Sequence, residues 1–285
     1  MAANSSTSAH SSTSAHSLVQ EQVAEMLVTP LEAASVVLSG GATILNSSEP
    51  LRVPTVSGDT APAWVGENEE IPDATGPSFS EIELMPTSRK SIKTITRVSN
   101  ELVRMAKFGI SEILQNKLVT DVRTKLDTAL LAGDGADNSV TGILNQSGLD
   151  SAPLDPTNPD TVLDALAALA ANEVVANRLI LSGADFFEMR KLKDSTGRYL
   201  LQPDPTQAAA YMLQGVPVTV TNKLPKGKGV LADMSQVAVV RDTDPTVTVL
   251  PERYAEFDQT GIRVTTRYDL GILRNEGVII LDAAA

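Results

Sequence analysis

The stretch GDTAPAWVGENEEIPDATGPSFSEIELMP (Gly58–Pro86) runs directly into TSRKSIKTITRVSNELVRMAK (Thr87–Lys107), and the charge inverts at the junction. The first segment carries seven acids (Asp59, Glu67, Glu69, Glu70, Asp73, Glu81 and Glu83), no lysine or arginine, and the only tryptophan, Trp64. Pro62, Pro72 and Pro77 punctuate it, so neither a helix nor a central strand can run through its middle. Long loops of this kind inside a compact domain are usually functional or disordered. Its end alternates Ile82 and Leu84 with Glu81 and Glu83, which predicts a returning strand over Ser80–Met85. In the second segment six bases (Arg89, Lys90, Lys93, Arg97, Arg104 and Lys107) face one acid, Glu101. Ile92, Thr94, Thr96 and Val98 predict a strand there, and Ser99 or Asn100 offers a helix cap.

Outward from this pair, Leu51–Ser57 reads as a short strand before the acidic loop. After the basic segment, Ile110, Leu114, Leu118, Val122, Leu126 and Leu130 recur every fourth residue. That spacing predicts a helix over 109–131, about 35 Å long, stopped by Gly133. Residues 133–160 are turn-rich. A second helix is predicted over 161–175, apolar at Val162, Leu166, Leu169 and Ala170, then a buried strand at Arg178–Ser182 and a third helix at 184–193. Tyr211–Leu213 is assigned to a further short helix. Strands are expected at Val216–Thr221, Gly229–Ala232, Val237–Val240, Thr246–Leu250, Ile262–Leu273 and Gly277–Leu281. In the Ile262–Leu273 strand, Ile262, Val264, Thr266, Tyr268, Leu270 and Ile272 share one face, with Arg263, Thr265, Arg267 and Asp269 on the other. The fold class is α+β, with helices and strands segregated.

The chain has 285 residues, ample for one large domain or two small ones. Its net charge of −12 argues against a protein built mainly to grip nucleic acid, which shows a basic footprint. There is no cysteine, which excludes disulfides, thiolate metal sites and cysteine nucleophiles. The two histidines, His10 and His16, both end copies of a direct repeat, SSTSAH, at Ser5–His10 and Ser11–His16. The body therefore has no histidine for a triad, a general base or a metal site. The Ser/Thr/Ala-rich first 17 residues read as a flexible arm with a reach of about 55 Å. Residues 18–39 read as partly helical, broken by Pro30. No apolar run is long enough to span a membrane, and no signal-peptide pattern opens the chain, so cytoplasmic synthesis and use are expected.

Glu67, Glu69 and Glu70 supply paired carboxylates for a hydrolase or a Mg²⁺ site, but a solvated loop lacks the rigid frame such sites need. Gly133–Asn138 (GDGADN) follows a helix, whereas phosphate cradles precede one, and an EF-hand would need glycine where Ser139 stands. It reads as a helix cap and turn. The basic stretch 89–107 has no interleaved aromatics for base stacking. The acidic loop is its natural complement. If that loop reached another copy, the contact would be head-to-tail and would close into rings or shells. Trp64, Glu67, Glu69 and Glu70 on one side and Arg89, Lys90, Lys93 and Arg97 on the other are the candidate contact residues, with Trp64 as apolar anchor. No catalytic, cofactor or metal residue is assigned.

The run Ala61–Val103 resembles the extended loop and following strand of tailed-phage major capsid proteins with the Hong Kong 97-like fold. The resemblance rests on Trp64-Val65-Gly66-Glu67, Pro72, Phe79, Arg89–Lys93 and Ser99-Asn100-Glu101-Leu102. Further on, Leu131–Leu144 (LAGDGADNSVTGIL) is similar to that family's post-helix glycine loop. Leu192–Leu200 (LKDSTGRYL) and Gln214–Val218 (QGVPV) also resemble its elements. The order of these elements spans about residues 51–282. The resemblance implies an N-terminal arm (1–57), an extended β loop (58–86), a spine-helix peripheral domain (84–146 and 237–273) and an axial domain (147–236 and 274–285). It implies hexamers and pentamers that form an icosahedral shell around phage double-stranded DNA, held without sequence-specific contacts, in a virion assembled in the host bacterial cytoplasm. A portal and a separate scaffolding protein are the expected partners, without removal of a large prosegment. Some relatives cross-link through a lysine of the extended loop; Gly58–Pro86 has none. An encapsulin-type nanocompartment shell, a carboxylate hydrolase and a secreted adhesin are the competing readings.

Overall fold

The computed structural model describes residues 35–47, 49–57, 64–67, 78–85, 91–101, 110–136, 138–193, 196–199, 211–241, 246–250 and 252–283. The expected N-terminal arm, with its SSTSAH repeat and the helical reading of 18–34, lies outside them.

Two mixed sheets and one long helix organise the chain. In the first sheet β1 (Thr43–Asn46) runs parallel to β10 (Val237–Arg241), which pairs with β12 (Gln259–Ile272). The long β12 also pairs with β11 (Thr246–Leu250) and, along 259–267, with β4 (Ser91–Ser99). The second sheet has the order β5 (Asp150–Pro153), β13 (Val278–Asp282), β9 (Lys228–Ala232), β6 (Arg178–Ser182), β8 (Val216–Thr221), β7 (Met212–Leu213). Two of the chain's crossings between the sheets, at 232–237 and 272–278, run side by side: Leu273 N–H donates to the Gln236 carbonyl and Asp233 N–H to that of Gly277. A separate hairpin, β2 (Leu51–Ser57) with β3 (Ser78–Leu84), holds the ends of the acidic segment in antiparallel register.

Helix α1 (Ile110–Ala132) buries Leu118, Val122, Leu126 and Leu130, one per turn, as the four-residue spacing predicts. They share a core with Val264, Tyr268 and Leu270 of β12 and with Ile180 and Val230 of the second sheet. Past the helix end, position 133 has room only for glycine: a Cβ there would stand 2.1 Å from the Val140 carbonyl oxygen and 2.5 Å from that of Ala129. Asp134 then closes the turn by accepting from the Ala136 amide and the Ser139 hydroxyl, the cap-and-turn reading of GDGADN. Ser35 and Val36 are tied to this helix: both donate to the buried Asp127 carboxylate.

Several sequence expectations need correction. Tyr211–Leu213 is not helical. Met212 and Leu213 form β7, because Gln214 (φ 50°) and Gly215 (φ 83°) both sit in the left-handed region and make a tight hairpin into β8. The second helix, α2 (Asp160–Ala171), ends four residues early. Glu173 takes φ 58°, and the Val174 amide turns back to the Leu169 carbonyl while Glu173 N–H reaches Ala170, which buries Val174. Its core face is Val162, Ala165 and Leu169; Ala170 points to solvent. The third helix, α3 (Gly183–Met189), is also shorter than expected, capped by the Ser182 side chain. The turn-rich stretch hides a strand, β5, parallel to β13. The alternation of β12 breaks at its end: Asp269 and Gly271 are buried, because the foot of the hairpin covers the second face there.

Candidate assembly surface

The face of β4 and β12 that turns away from α1 is partly exposed, and the register decides what it carries. Ser91 pairs with Arg267, Lys93 with Thr265, Ile95 with Arg263 and Arg97 with Gly261. Directly paired residues in an antiparallel sheet point to the same side. Arg267, Lys93, Arg263 and Arg97 therefore make a staggered file of four cations, alternating between the two strands. Two residues of rise, about 7 Å, separate one from the next. That spacing is comparable to the Debye length of about 8 Å at physiological salt, so an anion on this face feels more than one of them at once. Lys93, Arg97 and Arg263 are exposed, with Ile95 among them at 38% exposure.

The lower end of the file is built around Gly261. A Cβ at Gly261 would lie 2.9 Å from the Tyr254 ring, so glycine admits that ring onto the sheet. Arg97 then stacks 4.6 Å from the Tyr254 centroid, with Arg253 at 5.7 Å. Asp258, in a left-handed turn, fixes the corner: Asn100 Nδ2 donates to Asp258 Oδ1 at 2.7 Å, and Thr260 donates to Asn100 Oδ1. Asn100 thus ties strand ends together, while the helix it was expected to cap lies largely outside the described residues.

On the acidic side, the Trp64 indole is fully exposed (104%), and Glu67 is exposed beside it. Glu69, Glu70, Arg89 and Lys90 lie outside the described residues. Of the basic candidates, Lys93 and Arg97 come together on one face. Arg263 and Arg267 join them from β12. Their place in the alternation of β12 was readable, but nothing local to either strand gives the register that sets them beside β4.

Among the described residues no group of histidines and carboxylates could hold a metal ion, and no helix is long and apolar enough to cross a membrane.

Comparison with known proteins settles the family. The profile of the phage capsid family matches residues 16–283. The chain belongs to the phage capsid family. It is 21% identical over 260 residues to the major capsid protein of Klebsiella oxytoca phage phiKO2, a match covering 81% of this chain and 59% of that protein. The chain thus spans well under two thirds of that relative. Among solved structures, the capsid of a native GTA particle matches with TM-score 0.71 at 19% identity, over 87% of this chain and 90% of that one. Chains from Microbacterium phage Oxtober96 (TM-score 0.68, 15% identity) and Mycobacterium phage Bobi (0.69, 18%) match over the same 87% and 90%. At these identities the structures attest a shared fold.

Proposed function

We propose that this chain is a major capsid protein that assembles, from copies of itself, into the hexamers and pentamers of an icosahedral phage shell around double-stranded DNA. The family match across 16–283 carries this reading. The Hong Kong 97-like architecture goes with it: α1 as spine helix, the first sheet as the peripheral domain's, the second sheet as the axial domain's, and the β2–β3 hairpin as the stem of the extended loop. The virion capsid is then its place, with assembly in the host bacterial cytoplasm and a portal and a separate scaffolding protein as partners. An acidic chain suits a container whose DNA must move freely, since a basic lumen would hold it. The phage and GTA relatives favour this over an encapsulin-type shell.

In the contact between copies, Trp64, Glu67, Glu69 and Glu70 of one copy meet the cation file of the next: Lys93, Arg97, Arg263 and Arg267, with Arg89 and Lys90 leading into it. The test is sedimentation and negative-stain microscopy of purified protein, alone and with its scaffolding protein. Closed shells or capsomer rings are expected. Reversing Glu67, Glu69 and Glu70 to lysine weakens the particles, and more so at low salt. A chain that stays monomeric under both conditions refutes the capsid reading. Assembly unchanged by the reversals at every ionic strength refutes the contact.

A further inference from the structure

The hairpin β2–β3 forms no backbone ladder with either large sheet among the described residues. Its attachment is a small apolar socket: Leu84 and Met85 pack on Ala238 and Val240, with Leu45, Leu51, Val53, Ile82 and Leu273 around them. The Asp269 carboxylate lies inside that socket, its Oδ1 accepting from the Leu270 amide at 3.0 Å. Met85 N–H donates at 2.7 Å to Oδ2 of Asp269, a carboxylate only 4% exposed. Met85 itself stands at φ 58°, a left-handed conformation that an unbranched bulky residue adopts only when its surroundings impose it. Next to it, Leu84 fills the space a side chain at Gly271 would need: a Cβ there would be 2.4 Å from Leu84 Cδ2. Alongside the hairpin runs an open cleft of about 1090 Å³, lined by both its strands, by Thr141 and Gln146, and by the turn around Arg274 and Glu276.

From these we infer that Asp269 is a positioning residue, the lock of a hinge at Met85 that sets the angle of the hairpin over the body. The joint has the parts a hinge needs: a stem with no ladder to either large sheet, a strained residue at its foot, and room on one side to swing. The Asp269–Met85 bond supplies the fixed angle. A charge-assisted hydrogen bond to a buried carboxylate is directional, whereas the apolar socket alone would tolerate rotation. Resting on the capsid reading, the consequence is that Asp269 aims the acidic loop at the neighbouring copy. The hinge itself is a property of the single chain and is testable without assembly.

The chain has no native cysteine, so Ser80→Cys on the hairpin and Lys125→Cys on α1 accept spin labels in the full-length, unassembled protein. The expected result is a narrow label-to-label distance distribution in the parent. With Asp269→Ala it broadens or shifts, while hydrogen-exchange protection of α1 is retained. Gly271→Ala, which dislodges Leu84 but leaves the carboxylate, should also shift the mean. In the parent, the Met85 amide should be protected like its neighbours in β12, and Asp269→Ala should speed its exchange about ten- to a hundredfold, the loss expected for a hydrogen bond to a charged group. An Asp269→Ala protein with unchanged distances and a lowered melting temperature would overturn the lock and leave a merely structural carboxylate. Should Asp269→Ala fail to fold, a parent Met85 amide exchanging as fast as those near the hairpin tip would overturn it too. A chain that hinges as described but never assembles would refute the capsid reading and leave the lock standing.

Discussion

Asp127 offers the sharpest test of how the N-terminal segment is held. It lies on α1, fully buried, and its Oδ1 accepts from the Ser35 hydroxyl and, at 3.1 Å, from the Val36 amide. Among the described residues Oδ2 has only Arg123 nearby, Nε at 3.7 Å, with the guanidinium partly in solvent. Asp127→Ala leaves a hydroxyl and an amide buried without an acceptor. Hydrogen bonds to charged groups contribute about 1.5–3 kcal/mol each, so two give roughly 3–6 kcal/mol. Part of that is returned, because the carboxylate no longer has to be desolvated with one oxygen unbonded. A net loss of about 3 kcal/mol is expected. Asp127→Asn keeps an acceptor at Oδ1 and should lose about half as much, and Ser35→Ala about 1 kcal/mol. Denaturant unfolding of the unassembled chain, followed by circular dichroism, measures all three. The double mutant Ser35→Ala/Asp127→Ala should be less destabilised than the sum of its parts by about 1 kcal/mol. An Asp127→Ala protein within about 0.5 kcal/mol of the parent, or strict additivity in the cycle, would refute the reasoning.

Two further outcomes follow from local geometry. Gly133→Ala places a methyl group against two backbone carbonyls that cannot yield, so a loss of roughly 3 kcal/mol or more is expected, read as a collapse in soluble yield and melting temperature; a normally folding protein would contradict the space argument. The Asp155 carboxyl is held below its ordinary range first by the Thr157 hydroxyl and then by the Thr157 amide. Thr157→Ala should raise its titration midpoint toward the ordinary value, as followed by carbon-detected NMR. A carboxyl with a depressed folded-state pKa adds stability above its unfolded value and loses it as pH falls through the folded one, so the substitution removes part of the contribution present above the ordinary carboxylate range. A midpoint that does not move refutes the assignment of cause.

The sequence was most legible where one face of an element meets one core. The stripe Leu118, Val122, Leu126 and Leu130 and the alternation from Val264 to Tyr268 are both local patterns, and both are buried as they read. Reading failed where a distant segment changes the burial. Asp269 sits in phase with the solvent face of β12, yet the hairpin foot covers it, and no property of 262–273 announces that. Short elements failed for a different reason. Tyr211–Leu213 is too brief for periodicity to decide, and the Gln214–Gly215 turn decides instead through two positive φ angles. Glu173 ends its helix with a residue that carries no stop signal. For the assembly surface, Lys93 and Arg97 were visible as a basic run and Trp64 as a lone aromatic. The file of four cations was not, because it depends on the pairing of Ile95 with Arg263 across a long stretch of chain.

That file bears on how like-charged copies can associate at all. Each copy carries a net charge of −12, so two copies repel at distances beyond contact. Screening acts on that repulsion first: at separations of several Debye lengths salt removes it almost completely, while pairs in contact and partly desolvated keep much of their attraction. A contact between the acidic loop and the cation file therefore has to be short-ranged to prevail. Lowering the salt strengthens the pairs and the overall repulsion together, whereas raising it weakens the repulsion first and the pairs later. On the proposed contact, assembly should be most favourable at intermediate ionic strength. Replacing Lys93 and Arg263 by glutamate removes the attractive half and leaves the repulsion, so the optimum should vanish and assembly should improve with salt throughout. An association driven by Trp64 and other apolar surface alone would show that second behaviour in the parent as well, and that comparison separates the two.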